Sequence, residues 1–315
     1  MKQAGIVIEV EHGQVKETSL GMITLAAKTA GSLTALVMDG ITHEITDQLA
    51  EYGVHTIVVL SLPDAPEIRL NPAVRAAAVV SAARELNMDR VLGLSSPEGK
   101  DLLPRVAALM DAPLVMDCVD VDLNTGLANT SQYSGKVMAQ IQLTGEALVF
   151  GVRPNAVPPE PRPVQAKTVV LTDNEAVPEN ITLRSWDNKD SEDRPSLVEA
   201  DIIIAGGRGM KNKDNFSLII DCAEKLNAAP GASRVAVDEG WVPYAFQVGQ
   251  TGEKVSPQVY IACGISGSIQ HFAGMKTAKM IIAVNKDENA AIMANCDYQV
   301  PGDLFDILPE IMKQL

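Results

Sequence analysis

Short apolar runs alternate with segments of helical periodicity along most of this chain, and that order constrains the fold more than any other feature. Residues 6–10, 33–38, 56–60, 90–94 and 114–119 are strand-length runs dominated by apolar side chains, as expected of strands buried on both faces of a parallel sheet. Helical segments fall between them. At 17–30, Leu20, Ile23, Ala27 and Ala30 share one face; at 71–86, Asn71 suits a cap and Pro72 a first turn; 101–110 reads as a third helix. Parallel strands need crossover connections, so this order predicts an α/β fold with a mostly parallel sheet.

After Asp120 the pattern changes. Gly126, Gly135 and Gly145 punctuate alternating stretches, which predict an added antiparallel hairpin region. A proline cluster follows (Pro154, Pro158, Pro159, Pro161 and Pro163). Strand-like runs at 167–171 and 181–186 place it as a loop inside the first domain. The polar stretch 187–196, DNKDSEDRPS, has no apolar periodicity and marks the boundary. Two domains are expected: 1–189, a parallel-sheet α/β domain with the hairpin region, and 190–315, a doubly wound α/β domain whose alternation restarts at Asp201.

The 315 residues suffice for two domains, and 46% hydrophobic residues can fill their cores. A net charge of −14 argues against nucleic acid or an anionic membrane as partner, because phosphate contacts need clustered Lys and Arg. Cys118, Cys222, Cys263 and Cys296 form no C-x-x-C, so neither a cluster, a structural zinc nor a disulfide framework is suggested. That usage fits a reducing cytoplasm. The opening MKQAGIVIEVEHG turns charged after one short strand, unlike a secretory leader, and no run has membrane-spanning length. The sequon at Asn180 is therefore expected to be idle.

Chemistry concentrates in the glycine-rich turns of the second domain. The run 202–205 leads into Gly206-Gly207-Arg208-Gly209, either a phosphate-binding turn with a forked cationic donor or an ordinary tight turn. Gly231-Ala232-Ser233-Arg234 precedes a run at 235–237 that reads as a strand; Ser233 and Arg234 face a ligand or simply cap and solvate. Val248-Gly249-Gln250-Thr251-Gly252 is a loop able to hydrogen bond a flat polar ring, or a plain turn. At 260–271 a strand ends at Gly264 and a helix is expected to start near Ser266 or Gly267. Its free N–H groups would point to the sheet's carboxyl edge, with Gln270 and His271 in the first turns. Strands at 279–284 and 297–300, and a helix at 304–313, complete the pattern. There is no H-E-x-x-H, no G-x-x-x-x-G-K-[ST], and no Ser/His/Asp set with motif support. Local chemistry alone thus points to a nucleotide-type ligand at the edge of the second sheet.

These segments resemble the alpha subunit of electron transfer flavoproteins: GGRGM at 206–210, PGASRVAVDEGWVP at 230–243, QVGQTG at 247–252, YIACGISGSIQHFAGMK at 260–276, IIAVNKD at 281–287 and GDLF at 302–305, with SSPEGKDLLPRVAALMDAPLVMD at 95–117 in the first domain. The resemblance implies FAD in the second domain and a heterodimer with a beta subunit. It implies Arg208 at the FAD diphosphate or its surroundings, Ser233 in that site and Arg234 against the flavin. Val248, Gly249, Gln250 and Thr251 would line the isoalloxazine, Thr251 near N5. Ser266, Gly267, Ser268, Ile269, Gln270 and His271 would serve the diphosphate side and the ring. His271, protonated or hydrogen-bonded, would lie near the pyrimidine oxygen. Asn285, Asp303 and Leu304 would hold the adenosine part.

The implied function is electron shuttling between acyl-CoA dehydrogenase-type flavoenzymes of fatty acid β-oxidation and a downstream acceptor such as a quinone oxidoreductase. Electron bifurcation from NADH to ferredoxin or flavodoxin is the alternative within the family, and a non-redox nucleotide-binding scaffold the alternative outside it. Tyr244-Ala245-Phe246 and Pro230 depart from the family pattern beside the flavin loops.

Overall fold

Alternation within single strands divides the first sheet's side chains between two layers. On the first strand, β1 (Ala4–Ile8), Ile6 and Ile8 face one core while Val7 faces the other. Helices Glu17–Ala27 and His43–Glu51 cover the first face through Ile23, Leu25, Ile45 and Leu49. Helices Pro72–Glu85 and Pro97–Leu109 cover the second through Val79, Ala83, Leu103 and Val106. Helices on both faces leave the middle of a parallel sheet no wet side, which is why β1 and the strands beside it are largely apolar. The computed structural model describes residues 3–11, 13–38, 40–62, 69–133, 137–172 and 196–314.

After a short antiparallel ribbon, β2 (Val10–Glu11) with β3 (Gln14–Val15), come β4 (Leu33–Val37), β5 (Thr56–Ser61), β6 (Arg90–Leu94), β7 (Leu114–Asp122), β8 (Leu127–Gln132), β9 (Val137–Gln142), β10 (Leu148–Val152) and β11 (Lys167–Thr172). The nine-stranded sheet runs β11-β5-β4-β1-β6-β10-β7-β8-β9. Every pairing from β11 to β7 is parallel, and β8 joins β7 antiparallel.

The hairpin expectation holds only in part. β10 does not form a hairpin; it returns to the sheet interior between β6 and β7, where all five of its residues are buried. An unbroken LVFGV run suits a strand covered on both faces, and Gly145 merely precedes it. Helix His43–Glu51, capped by Thr42 Oγ1 at 3.2 Å from Ile45 N, is an element beyond those expected, with Ile45 and Leu49 one turn apart on its buried face. Helix Glu17–Ala27 stops three residues short of the expected 30, and the helix expected at 101 starts at Pro97 behind the capping Ser96. The proline-rich segment crosses the ends of two helices, with Glu160 N bonded to Thr24 Oγ1 and Arg162 N to Glu51 O, before β11 pairs with β5.

The chain divides into two compact units, Met1–Thr130 with Met138–Asp187, and Ser131–Val137 with Asn188–Leu315. The strand expected at 181–186, the sequon, and all but the last residue of the linker expected at 187–196 lie outside the described residues.

The second unit holds a fully parallel five-stranded sheet: β12 (Ile202–Gly206), β13 (Ala229–Ala232), β14 (Val259–Cys263), β15 (Met280–Asn285) and β16 (Tyr298–Pro301), ordered β13-β12-β14-β15-β16. Helix Ile269–Met275 packs on one face with Tyr260 and Ala262; helices Ser217–Lys225 and Leu304–Gln314 pack on the other with Ile204 and Cys263. Pro230 sits in β13, an edge strand, where a missing N–H costs no ladder bond. Residues 235–237 are not a strand but the middle of a short helix, Arg234–Asp238. The place beside β12 is already filled by β13, and Ala236 turns into the core instead. Among the described residues no helix is long and apolar enough to cross a membrane.

Asn71 tests how far the caps hold these helices. It is buried, and its side chain accepts a hydrogen bond from Ala73 N at 3.0 Å. Asn71→Ala is expected to lower stability by about 1–2 kcal/mol, and Asn71→Ser by less. Urea unfolding of the three proteins measures this; equal midpoints would show that the cap is idle.

Candidate functional site

Strand order decides where a ligand can enter the second sheet. From β12 the chain moves outward to β13, then crosses back to β14 on the other side. The connections that follow β12 and β14 therefore leave the carboxyl edge in opposite directions, and a crevice opens above the point where they part. A cleft of about 770 Å³ opens there, within the range of small-molecule and cofactor sites.

The turns after β12 and β14 form its floor. Gly207 N donates to Cys263 O and Gly209 N to Gly264 O, each at 2.9 Å. Gly264 has φ +60°, and a Cβ there would lie 2.8 Å from Gly209 Cα. The approach therefore requires glycine on conformational and steric grounds together. Arg208 begins a 3-10 turn here and is exposed along the cleft wall.

After β13, Ser233 N bonds Gly206 O at 3.0 Å, while Ser233 Oγ is buried with no partner among the described residues. Arg234 follows, largely exposed and paired with Asp238 at 3.1 Å. The 247–252 loop is tied down at several points. Val248 N bonds Ala232 O at 3.0 Å, Gly249 N bonds Glu253 O at 3.1 Å, and Gln250 N bonds Gln270 O at 2.8 Å. Gln247, almost fully buried, donates from Nε2 to Thr251 Oγ1 at 2.9 Å. Since that oxygen accepts from Gln247, the Thr251 hydroxyl hydrogen is left to donate elsewhere. The Tyr244 hydroxyl closes on the Thr251 carbonyl.

The helix after β14 begins later than expected, at Ile269, with Ser268 as its cap. Gly267, at φ +78°, cannot be helical, and a Cβ on it would meet Ile292 N at 2.4 Å. Ser266 and Ser268 line the cleft, as do Gln270 and His271 of the first turn. His271 is buried; Nε2 lies 3.0 Å from the Tyr260 hydroxyl, and Nδ1 has no hydrogen-bond partner among the described residues. Burial lowers its pKa to about 4, with the Val248 carbonyl acting the other way. The ring is therefore neutral at neutral pH, which removes the protonated form from the sequence expectation.

Of the sixteen residues that the sequence singles out, twelve border this cleft: Arg208, Ser233, Arg234, Val248, Gly249, Gln250, Thr251, Ser266, Ser268, Gln270, His271 and Asn285. Four do not. Gly267 packs on Ile292, and Ile269 is half exposed on the helix surface. Leu304 is a core residue beside Leu308. Asp303 caps the last helix through Phe305 N at 3.0 Å and pairs with Lys286 at 2.5 Å. The Lys286 hydrogen bond holds its carboxyl below the usual range. Asn285 borders the cleft, but its amide already bonds Ile265 O and Asp287 N. Sequence reasoning missed Gln247, Ile265, Asp287 and Ala290 in the wall. Gln247 opens the QVGQTG segment, Ile265 lies within YIACGISGSIQHFAGMK and Asp287 closes IIAVNKD, so their signal was present; Ala290 carries no motif.

Two arginines, an orphaned serine hydroxyl and an orphaned imidazole nitrogen in one cleft fit a ligand that joins an anion to a flat polar ring. Comparison with known proteins agrees. Residues 196–276 match the family described as the electron transfer flavoprotein FAD-binding domain, and residues 4–177 the electron transfer flavoprotein domain. A Mycobacterium leprae protein named electron transfer flavoprotein subunit alpha is 38% identical, over 99% of this chain and 97% of its own. The Bacillus subtilis protein of the same name is 34% identical over 100% and 98%. A mitochondrial one from Oryza sativa subsp. japonica is 36% identical over 98% and 89%.

The buried neutral imidazole links stability to pH. An unfolded histidine binds its proton below about pH 6.5, whereas folded His271 does so only near pH 4. Between these values the unfolded state binds more protons, so stability rises with pH. The contribution is fully present above about pH 6.5 and is lost as pH falls toward 4. Its slope is about 1.4 kcal/mol per pH unit and its total on the order of 3 kcal/mol. Denaturant unfolding at several pH values should show a steeper loss for the wild type than for His271→Phe; parallel curves would refute the linkage.

Proposed function

The chain belongs to the electron transfer flavoprotein alpha-subunit family, and from that premise we propose that it pairs with a beta subunit, holds FAD in the cleft of its second domain, and carries electrons between acyl-CoA dehydrogenase-type flavoenzymes and a downstream acceptor such as a quinone oxidoreductase. The observation that carries this is the convergence of twelve motif residues on one cleft at the switch point of a doubly wound sheet. Free thiols at all four cysteines support placing it in the cytoplasm.

When bound, FAD supplies the redox chemistry. Arg208 and Ser233 serve its anionic part, through a charged fork and an unpaired hydroxyl. Arg234 brings a cation to the ring side, held in direction by Asp238. Gln247 orients the Thr251 hydroxyl to donate toward an acceptor on the ring, the role proposed for it at N5. His271 offers a hydrogen bond without a full charge, because its ring is neutral. Asp303 acts on the adenosine side indirectly, by fixing the start of the last helix and Lys286.

A neutral donor contributes about 0.5–1.5 kcal/mol, or roughly 20–65 mV on a one-electron couple. His271→Ala is expected to shift the flavin potential by that amount. Arg234→Ala should shift it downward as well, since it removes a cation. Thr251→Val should change the flavin absorption spectrum. Purification with the beta subunit, a flavin count and a reductive titration test all three. Flavin-free protein would sink the assignment, and two flavins per heterodimer would point to bifurcation instead of simple carriage.

A further inference from the structure

Tyr260 and His271 form a buried pair behind the cleft wall. Tyr260 lies on β14, fully buried, on the sheet face that helix Ile269–Met275 covers. Its hydroxyl is 3.0 Å from His271 Nε2, and the two rings meet edge to face with centroids 6.0 Å apart.

A phenol has one proton to donate, and a buried one needs an acceptor. Among the described residues, His271 Nε2 is the only hydrogen-bond partner of that hydroxyl. Suppose the imidazole carried its proton on Nε2. The phenolic hydrogen would then be buried without an acceptor, and Nδ1 would be a buried bare lone pair. With the proton on Nδ1, the phenol donates to Nε2 and one unsatisfied group remains, the Nδ1–H donor. Burial keeps the phenol protonated and the imidazole neutral, so neither group leaves this arrangement near neutral pH. The Val248 carbonyl lies near the ring but completes no hydrogen bond with Nδ1.

Resting on the FAD reading above, we infer that Tyr260 is a positioning residue: its hydroxyl donates to His271 Nε2, fixes the imidazole as the Nδ1–H tautomer, and so makes His271 a neutral hydrogen-bond donor to an acceptor atom of the cofactor. Two structural facts support this placement. The strand parity that turns Tyr260 toward the helix also turns Ala262 there, and a small residue leaves the tyrosine room to reach the first helical turn. His271 borders the cleft, and among the described residues its buried Nδ1 completes no hydrogen bond, whereas Nε2 is met by Tyr260.

Nitrogen-15 NMR of the histidines, in the full-length chain purified with its beta subunit, reads the tautomer directly. The chain has four histidines, and loss of one signal in His271→Gln identifies the ring. At pH 7 the wild type should show a pyrrole-type shift at Nδ1 and a pyridine-type shift at Nε2. Tyr260→Phe should collapse or reverse that split and weaken FAD binding about three- to tenfold. An Nε2–H or doubly protonated ring in the wild type would overturn the inference, and so would an unchanged split in Tyr260→Phe. The wild-type spectrum decides the question even where the variant folds poorly. A chain that bound no FAD would defeat the functional reading while leaving the tautomer measurable.

Discussion

Two main-chain hydrogen bonds, Gly207 N–H to Cys263 O and Gly209 N–H to Gly264 O, bring the turns after β12 and β14 into contact at the edge of the second sheet. Side chains would prevent this approach, since a Cβ on Gly207 would lie 2.4 Å from the Gly264 carbonyl. Because the turns meet, Arg208 and the 264–268 segment border one cleft instead of two separate loops. The same contact sets the level from which helix Ile269–Met275 departs, and therefore the height at which His271 enters the wall.

Above this floor the site is built from buried polar groups whose partners are counted out almost completely. Gln247 satisfies Thr251 and leaves a directed hydroxyl hydrogen. Tyr260 meets one nitrogen of His271 and leaves the other. Ser233 gives its backbone to Gly206 and keeps its hydroxyl. Each arrangement leaves, among the described residues, one unpaired polar group on a residue that borders the cleft. Burial that would be a defect in a closed core is here a preformed set of donors and acceptors, with little ordering left to be done on binding.

The first sheet obeys the same rules with a different result. After β1 and β6, Glu9 is buried, bonded to Ser96 and 3.6 Å from Lys16, and beside β10 and β7 Arg153 pairs with Asp117 at 2.7 Å. The charged groups at that end of the first sheet pair with one another. The two domains share strand–helix alternation, and what separates them is the polar set at the carboxyl edge.

Periodicity was enough to place most strands, because a strand covered on both faces must be apolar along its length. Caps such as Asn71 were legible because a helix start needs a side-chain acceptor. The glycine-rich turns marked the ligand edge, since few other demands explain glycine at Gly207, Gly209 and Gly264 in such close order. Three features were not legible. The apolar run at 235–237 carries no sign that β13 already occupies the sheet position beside β12. Nothing local says that β10 inserts between β6 and β7, a pairing across many residues. The protonation of His271 could not be read either, for a histidine beside a binding turn titrates according to what buries it. The sequence by itself determined the α/β class, the two-domain order and the cleft's main residues, because those follow from local pattern and backbone sterics. Only the tertiary structure decided strand order, the neutral state of His271 and the hydrogen-bond partners of Gln247 and Tyr260, because desolvation and hydrogen-bond partnership depend on neighbours brought in from elsewhere in the chain.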